Sequence, residues 1–206
     1  MATVGGAMRV IAGEAKGRPL RSPRGLAVRP SASRLRESLF GILEGRDEIA
    51  GRRVLDLFAG TGALGIEALS RGAVHLVAVE QAAPVARVLR ENVERCGFAG
   101  RTEVVVAPVA TALRRLAARG GAFDLVLLDP PYRTGIADEA IRSLVELGLA
   151  APGARIVAET ARGEVVAVPP AAGAPGDVRC YGDGQLTFFH VPEPAPAPEG
   201  MADASV

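Results

Sequence analysis

The chain has 206 residues, 49% hydrophobic and 23% charged, with a formal net charge of +1. That length can bury roughly 70% of the unfolded surface in one core, and no apolar run approaches the roughly 20 residues of a membrane-spanning helix. Cys96 and Cys180 lie far apart without metal-ligand spacing, so free thiols, a reducing cytoplasmic compartment and no metal are expected.

Residues 1–7 have neither a basic n-region nor an apolar h-region, so no secretory signal is expected there; they are expected to be disordered, or an extension before a true start at Met8. The net charge conceals an asymmetry. Within residues 1–36, Arg9, Lys16, Arg18, Arg21, Arg24, Arg29, Arg34 and Arg36 face Glu14 alone, so this stretch carries +7 and the remainder −6. A basic arm on an acidic body is the footprint of a polyanion partner, and these eight residues are expected to contact nucleic-acid phosphates.

Val10-Ile11-Ala12-Gly13 and Arg18-Pro19-Leu20 predict the two strands of a small β-hairpin. Ser31 is placed to cap a following helix whose apolar face is Leu35, Leu39, Phe40 and Leu43. Residues 8–50 therefore read as a basic, nucleic-acid-contacting extension.

From residue 51 the pattern alternates. Strands are expected at 53–58, 75–80, 103–106, 123–129 and 155–159, with helices at 63–71, 83–95, 109–119 and 136–147. Continuous Val/Leu/Ile strands separated by helices imply a mostly parallel sheet with helices on both faces. Val165–Val168 and Gln185–Val191 add two strands with no helix between them, which should pair antiparallel as a C-terminal β-hairpin and complete a seven-stranded sheet. The α/β domain thus spans 51–191, and the Pro/Ala-rich residues 192–206 form a tail expected to be disordered.

Two strand ends carry the chemistry. The first runs from Asp56 through Phe58-Ala59-Gly60-Thr61-Gly62. Such a turn brings backbone N–H groups and a helix N-terminus to the carboxyl edge of the sheet, where open α/β folds bind ligands. Gly60-x-Gly62-x-x-Gly65 fits the dinucleotide spacing, a weak signal alone. Asp56 would repel a pyrophosphate and attract an ammonium. Glu80, ending the second strand, can accept both ribose hydroxyls, with Gln81 beside it. An adenosine bearing a charged amino acid satisfies both acids, so the expected cofactor is S-adenosylmethionine. The second end is Asp129-Pro130-Pro131-Tyr132. The acid and the Pro130 carbonyl can accept hydrogen bonds from an amino group, and Tyr132 can stack on a flat ring.

The turn, Glu80 and Asp129-Pro130-Pro131-Tyr132 together resemble the Rossmann-like class I S-adenosylmethionine-dependent methyltransferases of exocyclic amines. More narrowly, the chain resembles the bacterial 16S rRNA guanine-N2 methyltransferases over residues 8–191. This rests on Met8-Arg9-Val10-Ile11-Ala12-Gly13, Lys16-Gly17-Arg18-Pro19-Leu20, Arg29-Pro30-Ser31, Arg36-Glu37-Ser38-Leu39-Phe40, Leu55 to Gly62, and Tyr181-Gly182-Asp183. The resemblance implies methyl transfer to guanine N2 in 16S rRNA, within the 30S subunit or an assembly intermediate. Asp129, Pro130, Pro131 and Tyr132 would then be catalytic. Where many relatives carry an acid after strand three, this chain has Ala107-Pro108-Val109, so adenine is expected to meet backbone groups at Pro108 and Val109. Three alternatives remain: an amine in DNA, tRNA or 23S rRNA; a nicotinamide-dependent oxidoreductase, against which Asp56 counts; and a non-catalytic ribosome-assembly factor.

Overall fold

The central strands form because each is apolar on both faces, and side chains alternate across a strand. In β1 (Arg53–Leu57), Val54 enters one core cluster while Leu55 and Leu57 enter the other. In β4 (Phe123–Leu128), Leu125 and Leu127 oppose Val126 and Leu128 in the same way. The computed structural model describes residues 8–22 and 30–193. The expectations for residues 1–7, for Arg24 and Arg29, and for the tail beyond residue 193 lie outside the described residues.

With β2 (His75–Glu80), β3 (Thr102–Val106), β5 (Ala150–Ala161), β6 (Pro175–Tyr181) and β7 (Gly184–His190), the sheet has the order β3-β2-β1-β4-β5-β7-β6. The five strands from β3 to β5 are parallel, while β7 runs antiparallel to both neighbours. On one face lie α1 (Pro30–Gly45), α2 (Ala63–Ser70) and α3 (Ala83–Cys96); α4 (Val109–Arg119) and α5 (Ile136–Glu146) cover the other. The chain order reverses between β1 and β4, so a crevice opens at their carboxyl ends, the usual ligand position in such sheets. This is the α/β, Rossmann-like architecture expected.

Two expectations fail. Helix α1 already begins at Pro30, a residue suited to a first helical position, so Ser31 lies inside the first turn rather than capping it. Val165–Val168 is not a strand. Val165 is exposed and Val166 buried, and the segment packs outside the ladder. The hairpin's first strand is instead β6, an edge strand with almost every residue exposed and a proline at its start, which leaves no apolar alternation to read. Strand β5 is also longer than expected at both ends: Ala150 pairs with Phe123 of β4, and β7 pairs with the strand as far as Ala161.

The N-terminal hairpin is minimal, one antiparallel bridge between Arg9 and Pro19, with Val10 N–H donating to the Arg18 carbonyl at 3.0 Å. It is bound into the main core. Val10, Ala15, Leu20, Leu39, Phe40 and Leu43 share one cluster with Ile66, Leu69 and Leu76. Full burial of such a side chain contributes about 1.5–3 kcal/mol. Polar groups fix the register. Glu67, 1% exposed, accepts the N–H groups of Ile11 (2.8 Å) and Ala12 (3.0 Å) and pairs with Arg71 at 2.8 Å. Ser70 Oγ accepts the Ala15 N–H, and the Ser70 carbonyl accepts that of Glu14 at 2.8 Å. Gly13 crosses this contact at φ 79°, and a Cβ there would lie 1.7 Å from the Ser70 carbonyl oxygen.

Gly13→Ala therefore forces the hairpin off α2. Thermal unfolding should report a loss of about 2–3 kcal/mol, and limited proteolysis should cut within residues 8–22 first. An unchanged melting temperature would refute this docking.

Candidate functional site

A cavity of about 1080 Å³ opens at the carboxyl ends of β1 and β4. Its first wall is the turn after β1, where Phe58 (φ 62°), Gly60 (φ 54°) and Gly62 (φ 85°) all adopt left-handed backbone. This conformation costs a non-glycine residue about 1–2 kcal/mol, so two of the three positions are glycines. Glu80 holds the turn in place: one carboxylate oxygen accepts the Gly60 N–H at 3.0 Å and the other accepts the Ala82 N–H at 2.7 Å. A carboxylate oxygen has more than one acceptor position, so each keeps capacity for a ligand hydroxyl.

Asp56 lies at the floor, 1% exposed. One oxygen accepts the Gly65 N–H at 2.9 Å, while Oδ1 is buried without a hydrogen-bond partner. Burial raises its pKa to about 7, against the Gly65 hydrogen bond and with a further push from Glu80. Gly65 is needed here, because a Cβ would lie 2.7 Å from the Leu76 methyl groups and 3.0 Å from Asp56 Oδ2.

The opposite wall is Asp129 to Tyr132, and the Asp129 N–H still donates to the Leu57 carbonyl at 3.3 Å. Asp129 faces the cavity. Its carboxyl is nonetheless held above the ordinary range, first by desolvation and then by the charges of Glu159 and Asp56. Tyr132 Oη donates to Glu159 Oε1 at 2.9 Å, which fixes the ring relative to β5. Tyr181 bonds to Ser38, tying β6 to α1 at the rim.

All the residues expected at the cofactor and amine ends line this cavity except Gly62, which stands at its edge as the N-cap of α2. Pro108 and Val109 line it beyond the end of β3. Among the described residues, the lining holds six carboxylates, of Asp56, Glu80, Asp129, Glu139, Glu159 and Asp183, and one guanidinium, of Arg36. Glu159 was missed as a site residue, although it stands at the end of an apolar strand like Glu80 and Asp129.

The cationic residues divide. Arg9, Lys16, Arg18, Arg21 and Arg34 are exposed. Within that group, Arg9 donates to the Gly17 carbonyl, Arg18 to that of Arg95, and Arg21 pairs with Glu91 at 2.7 Å. Arg36 departs from expectation. It is 5% exposed and donates to the Arg9 carbonyl at 2.7 Å, and burial pulls its pKa down. A guanidinium enclosed this way braces the N-terminal hairpin and is no open contact for a phosphate backbone.

The family model described as conserved hypothetical protein 95 matches residues 8–190. Ribosomal RNA small subunit methyltransferase D of Escherichia coli K12 is 37% identical over 155 residues, 75% of each chain. Its Haemophilus influenzae namesake is 33% identical over 164 residues, 80% of this chain and 84% of that one. Among solved structures, Escherichia coli yhhF superposes with a TM-score of 0.79 at 32% identity, covering 92% of this chain and all of that one.

The Asp56 shift has a definite sign. A carboxyl whose folded pKa exceeds its unfolded value near 3.9 binds more protons when folded. Its contribution is complete below about pH 4 and is lost as pH climbs to about 7. For the ligand-free protein, Asp56→Asn should therefore gain in melting temperature relative to wild type as pH rises from about 4.5 to 8. A difference independent of pH would refute the shift.

Proposed function

Because the chain belongs to the conserved hypothetical protein 95 family, alongside relatives named ribosomal RNA small subunit methyltransferase D, we propose that it transfers a methyl group from S-adenosylmethionine to guanine N2 in 16S rRNA. The observation that carries this reading is the charge of the cavity: among the described residues, six carboxylates against one guanidinium. A dinucleotide's pyrophosphate would be repelled there. A ligand bearing an ammonium and a sulfonium relieves the repulsion, and the unpartnered Asp56 Oδ1 offers an acceptor at the floor. The volume also supports it, since about 1080 Å³ exceeds the roughly 300–1,000 Å³ of single-ligand sites. There is room for a nucleoside cofactor and a base together.

Asp56 takes the ammonium end, and the glycine turn from Phe58 to Gly62 lies along the amino-acid and ribose portion. Glu80 accepts ribose hydroxyls while still holding Gly60. Pro108 and Val109 flank the adenine. Bound S-adenosylmethionine supplies an electrophilic methyl group on sulfur. The residues from β4 then prepare the nucleophile. Asp129 and the Pro130 carbonyl accept the two amino protons of the base, which favours a pyramidal nitrogen whose lone pair faces the cofactor. Pro130 has no N–H to compete, and Pro131 fixes the loop's φ.

As nitrogen becomes cationic, its acidity rises and Asp129 is placed to remove the surplus proton. The raised Asp129 pKa suits it to hold that proton near neutral pH. Tyr132, oriented by Glu159, stacks on the ring, a contact of about 1–3 kcal/mol. The base must be unpaired or extruded to enter. The exposed cations of the N-terminal segment position the RNA by its phosphates without reading sequence. Small-subunit assembly in the cytoplasm is the natural setting.

Asp129→Ala should lower methyl transfer to 16S rRNA by about 10²–10³-fold or more while leaving S-adenosylhomocysteine binding within a few-fold by calorimetry. Mass mapping of N2-methylguanosine on naked 16S rRNA, 30S particles and duplex DNA identifies the substrate. Methylation of DNA alone would replace the guanine-N2 reading with an adenine one.

A further inference from the structure

Beside the main cavity, and sharing Tyr132 and Asp183 with it, lies a shallow depression of about 290 Å³ also lined by Arg133, Ala161 and Arg162. The two arginines come from different loops, one after β4 and one after β5, brought together by Glu164. Its carboxylate oxygens both accept the Arg133 N–H at 3.0 Å, and one also accepts the Ala161 N–H at 3.0 Å. The Glu164 carbonyl in turn accepts from Gln185 Nε2 at 2.6 Å, whose Oε1 accepts the Gly163 N–H at 2.8 Å. Arg162 N–H donates to the Asp183 carbonyl at 2.8 Å. Both loops are thereby fastened to β7.

This fastening holds Arg133 at φ 58°, a left-handed conformation uncommon for a residue with a side chain. Backbone strain of this kind persists where surrounding bonds impose it, and it gathers at functional sites. Its result is a lip with two exposed guanidiniums. Among the described residues neither forms an ion pair, whereas Arg21 and Arg101 do. Glu164 forms no ion pair with them, its carboxylate oxygens being taken by backbone N–H groups, so both guanidinium forks stay open beside the carboxylates of Glu164 and Asp183.

We propose that Arg133 and Arg162 clasp the backbone phosphate next to the extruded target nucleotide, and so guide a single RNA strand past the mouth of the cavity. The inference rests on the RNA-methyltransferase reading above and adds a contact separate from the N-terminal cations. Tyr132 is the common wall. A base seated against it lies one nucleotide or less from the depression along its own strand. The planar guanidinium fork matches phosphate oxygens better than an ammonium does. The contact is to backbone, so it should act on every RNA sequence alike.

The test compares wild type, the Arg133→Gln/Arg162→Gln double variant and the Arg133→Lys/Arg162→Lys double variant. Binding to naked 16S rRNA and to 30S particles is measured across a salt series, with S-adenosylhomocysteine affinity in parallel. The glutamine variant should weaken RNA binding about tenfold and make the log–log salt slope shallower by roughly 0.7–1, the loss of one phosphate contact, with cofactor affinity within twofold of wild type. The lysine variant should recover most of the slope. An unchanged slope in the glutamine variant, with wild type binding RNA normally, overturns this inference alone. Wild-type protein that binds neither RNA nor particle overturns the functional reading, and this inference with it.

Discussion

Mutual repulsion among carboxylates in one cavity is the constraint on which the site depends. Asp56, Glu80, Asp129 and Glu159 all come from strand ends of one sheet edge, and the sheet fixes their separation. Each is held by something the fold supplies: Asp56 by the Gly65 N–H, Glu80 by those of Gly60 and Ala82, Glu159 by the Tyr132 hydroxyl. Water cannot disperse the charge at the floor, where Asp56 is enclosed. Protonation relieves the repulsion, as the raised pKa values of Asp56 and Asp129 express. On the proposed function, a cationic cofactor would relieve it in turn, and its binding would be linked to proton release through the same groups.

The N-terminal segment belongs to this arrangement as a wall. Met8, Ser22 and Arg36 line the cavity, and Glu67 and Ser70 fasten the hairpin to α2. Asn92, fully buried on α3, completes the connection. Its Oδ1 accepts the Arg21 N–H at 2.7 Å, while Nδ2 donates to the Arg21 carbonyl at 3.0 Å and to that of Thr61 at 2.9 Å. One side chain thus spans the basic segment and the glycine turn. A rigid link of this kind keeps surface cations in register with the pocket, which a tethered arm could not do.

How much of this could be read from the sequence depends on whether the cause is local. The central parallel strands β1, β2 and β4 were legible because burial on both faces demands unbroken apolar runs. Asp56, Glu80 and Asp129-Pro130-Pro131-Tyr132 were legible because polar groups at strand ends have no packing explanation. Strand β6 was hidden, since an exposed edge strand needs only backbone pairing and β7 supplies it. Val165–Val168 misled because Val166 and Val168 pack on the second core without joining the ladder. Arg36 was misassigned for a different reason. Composition counts a guanidinium as surface charge, and only the return of the Arg9 backbone over α1 encloses it. Glu159 carried the same strand-end signal as Asp129, yet its partner Tyr132 lies 27 residues away.

A formal charge of +1 describes neither field that the fold creates. The interior of the cavity is strongly negative, while exposed cations stand on the N-terminal segment and on the lip formed by Arg133 and Arg162. A polyanionic strand meets both at once. Its phosphates are attracted to the outer surface and repelled from the cavity, whereas a neutral base is not repelled and gains stacking against Tyr132. The charge distribution therefore sorts one nucleotide into its parts, keeping the backbone outside and admitting the base. That sorting needs no base-specific contact. On the proposed function, selection among guanines would depend on which can be extruded at the place where the phosphates are held, so the shape of the folded RNA would decide the target as much as the pocket does.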